Sequence, residues 1–329
     1  MSYEYTTRLN QKDISLLQLQ RVQLSQEVGF ISSYNLNFNK VDFTVPFNQS
    51  TAIYDTTPLN DVALYDSNGN QVFAGYITTK EEDNCKNTIK ATATGYLNQL
   101  SKKYFSYSDT GYTGARAYFL QLFQKYLLPS LPYIYPINVH FINDNLLNNI
   151  SLFLNSGSST EAGIATANDI ATILNTAAYL ENGVLKFAAF PETFPTANTL
   201  FDLSNYLDTP LNAKEMYQYY YDTVSMDYYN APGGSKKNIT LGAGSLIKKI
   251  SPSNMYFDDA SATALVQRTL NIYSKIYSQV DFQCRIDANL SLCSFFGYKN
   301  PQYRNYAFFI TSLENAYTHY KVKAIGIKI

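Results

Sequence analysis

The sequence predicts an α+β fold that is mainly β. Three observations lead there: apolar and polar residues alternate along short segments at both ends, an Asn-Gly pair separates two β-prone runs, and helical spacing is confined to a few internal stretches. Length agrees with this. The chain has 329 residues, 46 % of them hydrophobic, enough for a sizeable core and for two or more domains.

From Glu27 to Ala93, β-prone runs are separated by polar turns, with Leu36, Phe38, Val41, Phe43 and Val45 alternating with polar neighbours. The clearest unit is VALYDSNGNQVFAGYI, Val62 to Ile77. Asn68 and Gly69 occupy the two positions of a type I′ turn that need positive φ, which predicts a β-hairpin. The returning strand continues through Thr78 and Thr79, and a third strand runs through Ile89, Ala91 and Ala93 to Gly95. Tyr96 to Tyr104 reads as a short helix or exit loop. Ala115 to Leu128 has helical spacing and stops at Pro129, after which Leu131 to Pro136 is extended. Asn143 to Thr160 reads as a loop, and Thr166 to Leu180 as a helix capped by Thr166 or Asn168. Asn182-Gly183 then turns the chain into a strand over Val184 to Phe190. Residues 105–200 are therefore a mixed unit set among β segments.

Beyond Pro210 the β pattern returns over Met216 to Tyr229, ending at the turn Ala231-Pro232-Gly233-Gly234. Strand alternation there sends Tyr217, Tyr219 and Tyr221 to one face and Tyr220 to the other. Asn238 to Leu241 is another strand. Ser261 to Gln279 is the best helix in the chain, free of Gly and Pro, with Leu265, Leu270, Ile272 and Ile276 among its apolar positions. Val280 to Ile286, Tyr306 to Leu313 and Tyr320 to Ile329 alternate as strands. No short solenoid period is present, and the shared character of the two β-rich ends raises the expectation that they are versions of one domain.

Composition excludes several classes of function. With 25 basic and 26 acidic residues, the net charge of −1 supplies no global field to hold a nucleic-acid backbone or an anionic membrane. No apolar run approaches the roughly 20 residues of a bilayer span, so stable membrane insertion is not expected. The N-terminus has no basic start followed by an apolar run, so no secretory signal is read and synthesis in a cytoplasm is expected. Cys85, Cys284 and Cys293 are odd in number and match no zinc or paired-thiol spacing.

Chemistry-bearing motifs are equally sparse. Hydrolysis usually needs a base near a nucleophile, and the two histidines, His140 in a strand-like segment and His319 in a segment that reads as a turn, have no neighbouring motif. Leu241 to Leu246 (LGAGSL) lacks the Lys-Ser/Thr ending of a phosphate loop and reads as a glycine-rich bend. Asp66 to Asn70 resembles a calcium loop only superficially: Gln71 stands where Gly is needed and Ile77 where a bidentate Glu is needed. Asp258-Asp259 and Glu81-Glu82-Asp83 read as solvated turns. No catalytic residue, cofactor or metal is expected.

The tyrosines stand out. There are 30, with 20 Phe and no Trp, against only 16 % charged residues. Tyrosine buries a large ring while keeping a hydroxyl for a hydrogen bond, so Tyr217, Tyr219, Tyr221 and Tyr228 are candidate interface or core aromatics. Carbohydrate binding on such a surface is the alternative.

Together these segments resemble the baseplate hub, or tail-associated hub, proteins of tailed bacteriophages, the late control protein D group. The first likeness is the hairpin unit with Phe73, Gly75 and Ile77, followed by IKATATGYLNQL with Tyr96 and Leu97. TANDIATILNTAAYLENGVLKFAAF is similar to the family's middle-domain helix, turn and strand. The helix SATALVQRTLNIYSKIY, then VDFQCRID, then YAFFITSLENAYTHYKVKAIGI, resembles its closing domain, with a strand at Phe308 to Glu314. The resemblance implies two β-barrel-like hub domains: the first at residues 1–104, the second split over 201–235 and 280–329. An inserted mixed α/β domain takes 105–200 and a smaller helical insertion 236–279. It also implies a structural virion protein, without enzymatic activity, that forms a homotrimeric ring at the tail tip or baseplate. That ring would join a sixfold tail tube to a threefold tail tip and leave a channel for DNA in transit. The implied partners are further copies of itself, a tail tube or distal tail protein, a tip, spike or fibre protein, and a tape-measure protein. The alternative within the virion is a receptor- or carbohydrate-binding tail protein.

Overall fold

The computed structural model describes residues 6–9, 12–14, 20–27, 40–46, 61–65, 71–95, 112–121, 124, 139–142, 147–154, 170–181, 184–196, 199–207, 209–253, 255–285, 288, 290–300, 304–316 and 319–329. The first seven strands are β1 (Thr6–Leu9), β2 (Lys12–Ile14), β3 (Gln20–Glu27), β4 (Lys40–Pro46), β5 (Asp61–Tyr65), β6 (Gln71–Asp83) and β7 (Thr88–Gly95). After them come β8 (Thr113–Gly114), helix α1 (Ala115–Gln121), β9 (Val139–Ile142), β10 (Ser151–Leu154), β11 (Thr176–Glu181) and β12 (Val184–Ala189). The last third holds β13 (Lys214–Met216), β14 (Thr223–Tyr228), β15 (Lys237–Gly242), β16 (Ile247–Ile250), β17 (Met255–Tyr256) and helix α2 (Asp259–Tyr273). It closes with β18 (Tyr277–Arg285), β19 (Phe295–Asn300), β20 (Arg304–Ala316) and β21 (His319–Lys328).

The two ends of the chain share one 12-stranded sheet, ordered β13-β18-β21-β20-β3-β4-β7-β6-β5-β1-β2, with β19 also on β20. Two four-stranded units stand side by side in it. In the first, β4 pairs β7, β7 pairs β6 and β6 pairs β5; in the second, β18 pairs β21, β21 pairs β20 and β20 pairs β19, all antiparallel. The match extends to single residues. Strands β6 and β20 have 13 residues each, and each is bulged against its hairpin partner at a threonine, Thr78 or Thr311. The hydroxyl of Thr78 donates to the Thr92 carbonyl and that of Thr311 to the Lys323 carbonyl, both at 3.2 Å. Thr92 and Lys323 are also the residues that face Asp42 and Asp281 on the neighbouring strands. In this register Val41-Asp42-Phe43 corresponds to Val280-Asp281-Phe282, Ile77-Thr78-Thr79 to Ile310-Thr311-Ser312, and Glu81 to Glu314. Lys90, Ala93 and Gly95 correspond to Lys321, Ala324 and Gly326.

Alternation gives each unit its buried face. In the first, Val41, Phe43, Val62, Leu64, Phe73, Ile89, Ala91 and Ala93 are buried; in the second, Val280, Cys284, Phe296, Phe308, Ile310, Val322 and Ala324. The second core is aromatic-rich: Phe190 packs edge-on against Tyr277 and Phe309 at centroid distances of 5.7 and 5.8 Å. Full burial of each such ring is worth roughly 1.5–3 kcal/mol relative to exposure. Glycine is required where β21 passes β20 most closely, since a Cβ on Gly326 would lie 2.2 Å from the Ala307 carbonyl oxygen.

The segments between the units form three small sheets, β17-β10-β8, β11-β12-β9 and β15-β14-β16. Several sequence expectations change here. The helix expected to reach Leu180 ends at Ile173, because Leu174 and Asn175 form a turn in which Asn175 takes a positive φ of 48°, and Thr176 starts β11. Asn143 to Thr160, expected as a loop, includes β10. Helix α2 stops at Tyr273 rather than at Gln279, and Tyr277 to Gln279 already belong to β18. The stretch 236–279 carries α2 but also β15, β16 and β17. His319 opens β21 instead of sitting in a turn. Asn68 and Gly69 lie outside the described residues; the strands on either side of them, β5 and β6, pair antiparallel.

Candidate assembly surface

Strand β13 is the end of the large sheet, and its pairing with β18 covers three residues, Lys214 to Met216. The chain leaves the sheet there because Tyr217 starts a 3-10 turn, in which the Tyr220 amide donates to the Tyr217 carbonyl at 3.1 Å. The tyrosine run is therefore not one continuous strand, and the expected two-face alternation fails. Tyr217 is 62 % exposed and its hydroxyl donates to Glu215. Tyr219 and Tyr221 pack against the second core. Tyr228 is buried on β14, and its hydroxyl donates to Asp259 at 2.8 Å. One candidate thus faces solvent and three are engaged internally.

Another exposed apolar side chain lies near Tyr217: Met216 pairs with Tyr277, so Tyr217 follows the sheet end at the level of Ile276, which is 46 % exposed. Beyond the turn, the Leu246 carbonyl accepts from the Asp222 and Thr223 amides, and Leu246 and Ile247 are exposed there. An apolar patch beside an open sheet edge is the usual mark of a protein-binding surface.

Firm packing lies behind this patch. The Tyr221 amide donates to the Tyr273 carbonyl at 2.8 Å, and the Lys248 ammonium sits 4.1 Å from the Tyr273 ring centroid and 5.4 Å from that of Tyr221. Burial lowers the Lys248 pKa, and burial, followed by the neighbouring Tyr221 and Tyr219, pushes Tyr273 up to about 12. The hairpin β14–β15 is tied to the start of α2 by Asp259, which accepts from Lys237 at 2.8 Å, Asn230 at 3.0 Å and Tyr228. These bonds hold the Asp259 carboxyl down at about 2. Burial and then the Asp259 bond push Tyr228 up to about 12. Asp258 caps the helix by accepting from the Ser261 amide at 2.7 Å. Farther along α2, buried Arg268 donates to Glu192 at 2.8 Å and to the Phe190 carbonyl at 3.0 Å, locking the helix to the end of β12.

Among the described residues no three His, Cys, Asp or Glu side chains are grouped to hold a metal. His140 and His319 lie on strands of different sheets. In the LGAGSL bend, the Asp222 carboxylate accepts from the Leu246 amide at 2.9 Å and fills the space beside Gly244, so the loop already holds an anionic group of its own. Cys85 is exposed in the β6–β7 turn, while Cys284 and Cys293 are buried and outside any disulfide. No helix among the described residues is long and apolar enough to cross a membrane.

No family model matches the sequence, and no curated protein matches it. Solved structures do. The prophage tail protein gp18 from Listeria monocytogenes EGD-e superposes with a TM-score of 0.61 at 9 % identity, covering 98 % of this chain and 94 % of that one. The chain has the fold of phage tail proteins. The tail protein from Neisseria meningitidis MC58 gives 0.60 at 10 % identity, with 99 % and 96 % covered. The Escherichia coli c3393 protein, a type VI secretion component with structural similarity to the T4 tail proteins gp27 and gp5, gives 0.50 at 8 % identity over 98 % and 76 %. At these identities the likeness is one of fold. What sequence reading missed was the residue-level repeat: its two Val-Asp-Phe triplets, its two Ile-Thr-Thr/Ser bulges and its two Lys-x-x-Ala-x-Gly strands are all visible in the sequence.

Proposed function

We propose that this chain is a structural virion protein, a baseplate hub of a tailed phage, that assembles as a trimeric ring joining a sixfold tail tube to a threefold tip and leaves a channel for DNA. The observation that carries the reading is the internal repeat. One chain supplies two copies of the same four-stranded unit, so three chains supply six, the number needed to meet a sixfold partner with a threefold one. The tail-protein fold is in accord with this. The domain division that goes with it is 1–104 and 201–235 with 280–329 for the two hub domains, 105–200 for the mixed insertion and 236–279 for the smaller one.

Its partners are then further copies of itself, the tail tube or distal tail protein on one side and a tip, spike or fibre protein on the other, with a tape-measure protein in the lumen before ejection. The work is association, not catalysis. A sugar-binding groove built on the tyrosine run has less support, since Tyr219, Tyr221 and Tyr228 are taken up in internal packing. Light scattering of the purified protein tests the assembly: a ring of three 37.2 kDa chains has a mass of about 112 kDa. A mass that stays at one chain at high concentration overturns the reading.

A further inference from the structure

One ammonium on β16 faces inward. Lys248 pairs with Val224 of β14, which puts it on the side of the small sheet where Val224, Met226 and Tyr228 are buried, while its neighbours Ile247 and Lys249 point to the other side and are exposed. Lys248 is half-buried, with its ammonium 4.1 Å from the centroid of the Tyr273 ring and 5.4 Å from that of Tyr221, two rings set edge-to-face at 68°. Among the described residues it has neither an ion pair nor a hydrogen bond from its side chain. A cation withdrawn from water normally has a carboxylate beside it, as Arg268 has Glu192 and Lys237 has Asp259. Lys248 has ring faces alone, which offset part of that cost.

Two more unused donors stand around Tyr273. Tyr219 and Tyr221 pack against the second core, but among the described residues neither hydroxyl has a hydrogen-bond partner. Both are near enough to Tyr273 to push its pKa up. None of these polar ends is sealed, since the one fully buried side-chain nitrogen or oxygen without a partner among the described residues is Oδ1 of Asn230. Nζ of Lys248 and the two Oη atoms therefore still reach water.

We propose that Lys248, with the Tyr219 and Tyr221 hydroxyls, forms a receptor for one carboxylate, carried by an Asp or Glu side chain of a protein partner. One cation and two neutral donors balance a single negative charge, and the roughly four lone-pair sites of a carboxylate suffice for all three donors. A doubly charged phosphate would leave a net negative charge against ring faces that are themselves negative. Leu246 and Ile247 directly precede Lys248 and are 51 % and 46 % exposed, so apolar surface adjoins the charge, as at a protein contact. The receptor does not depend on the ring; that its carboxylate comes from a protein rests on the tail-assembly reading above.

Competitive acetylation with a trace of N-hydroxysuccinimidyl acetate, read residue by residue by mass spectrometry, tests the receptor on the isolated chain. Labelling of Lys248 relative to exposed Lys249 should fall roughly threefold in about 0.3 M sodium acetate compared with sodium chloride of equal ionic strength. Inorganic phosphate at that ionic strength should protect less than acetate. Tyr219→Phe with Tyr221→Phe keeps both rings and should lose most of the protection, with thermal unfolding as the check on the fold. An inward lysine that merely guards an edge strand would label equally in all three salts, and that result overturns the receptor. Stronger protection by phosphate overturns the choice of a carboxylate. The source is tested in assembled tails treated with a water-soluble carbodiimide: the activated carboxyl is attacked by Nζ of Lys248, an amide forms and the urea leaves. A peptide of another chain joined to Lys248 through Asp or Glu supports the protein partner. Acetate protection without any such cross-link overturns that partner and leaves a small carboxylate as the ligand. A chain that stays monomeric and enters no particle overturns the tail reading, while the acetate result still decides the receptor.

Discussion

Arg268 ties α2 to the end of β12 through several bonds. It is 3 % exposed, and besides Glu192 it serves the carbonyls of Leu174 and Phe190. Burial lowers its pKa while Glu192 raises it, so the pair offsets much of the cost of burying the charge. Arg268→Met takes the cationic donor from Glu192, which keeps only its bond from Asn271, and the Arg268 donor from those carbonyls, and urea unfolding is expected to show a loss of about 3 kcal/mol. A different dependence belongs to Asp259. Its folded pKa of about 2 lies below an unfolded value of roughly 3.9, so its contribution is present above pH 4 and is lost as pH falls through about 2. Tyr228 is raised to about 12, so its contribution holds below about pH 10 and is lost as pH rises through 12. Hydrogen exchange across β14 and β15 should accordingly stay slow from pH 4 to pH 10, after correction for intrinsic rates, and accelerate on both sides. Tyr228 stands among the aromatics that the sequence singles out, but Asp259 does not, since Asp258-Asp259 reads as a solvated turn; the pairing of Asp259 with Lys237 requires the hairpin to fold back onto α2.

Strands were legible where alternation is strict, and β4, β7 and β21 fall where the pattern puts them, whereas β18 starts three residues earlier. The pattern misleads where one residue breaks it. Asn175 looks like a helix residue until its positive φ is known, and Tyr217 to Tyr221 look like a strand until the 3-10 turn is seen. The repeat escaped because its parts are not evenly spaced. From the first unit to the second, the β4 pattern recurs after 239 residues, that of β6 after 233 and that of β7 after 231, so no single offset aligns them. Close contact of β20 and β21 rests on Gly326, where an added Cβ would also lie 2.5 Å from the Phe308 ring. Gly326→Ala should cost about 1–3 kcal/mol by calorimetry. Gly114→Ala, where nothing lies within 4 Å of the added carbon, should stay within about 0.5 kcal/mol.

At the scale of the molecule, the low charge and abundant tyrosine acquire a structural meaning. Many rings fill the core of the second unit, where Tyr277, Tyr298, Tyr306 and Tyr320 are buried, and Tyr217 remains at the open end of the sheet. In the ring proposed above, a surface that neighbouring copies cover needs few charges. The account turns on six equivalent units contributed by three chains. Electron-microscope averages of the isolated assembly, viewed down its axis, test this most directly. The account predicts an annulus of six lobes around a central hole, with threefold features outside it from the inserted segments. A strictly monomeric particle, or a ring with six copies of the whole chain, would contradict it.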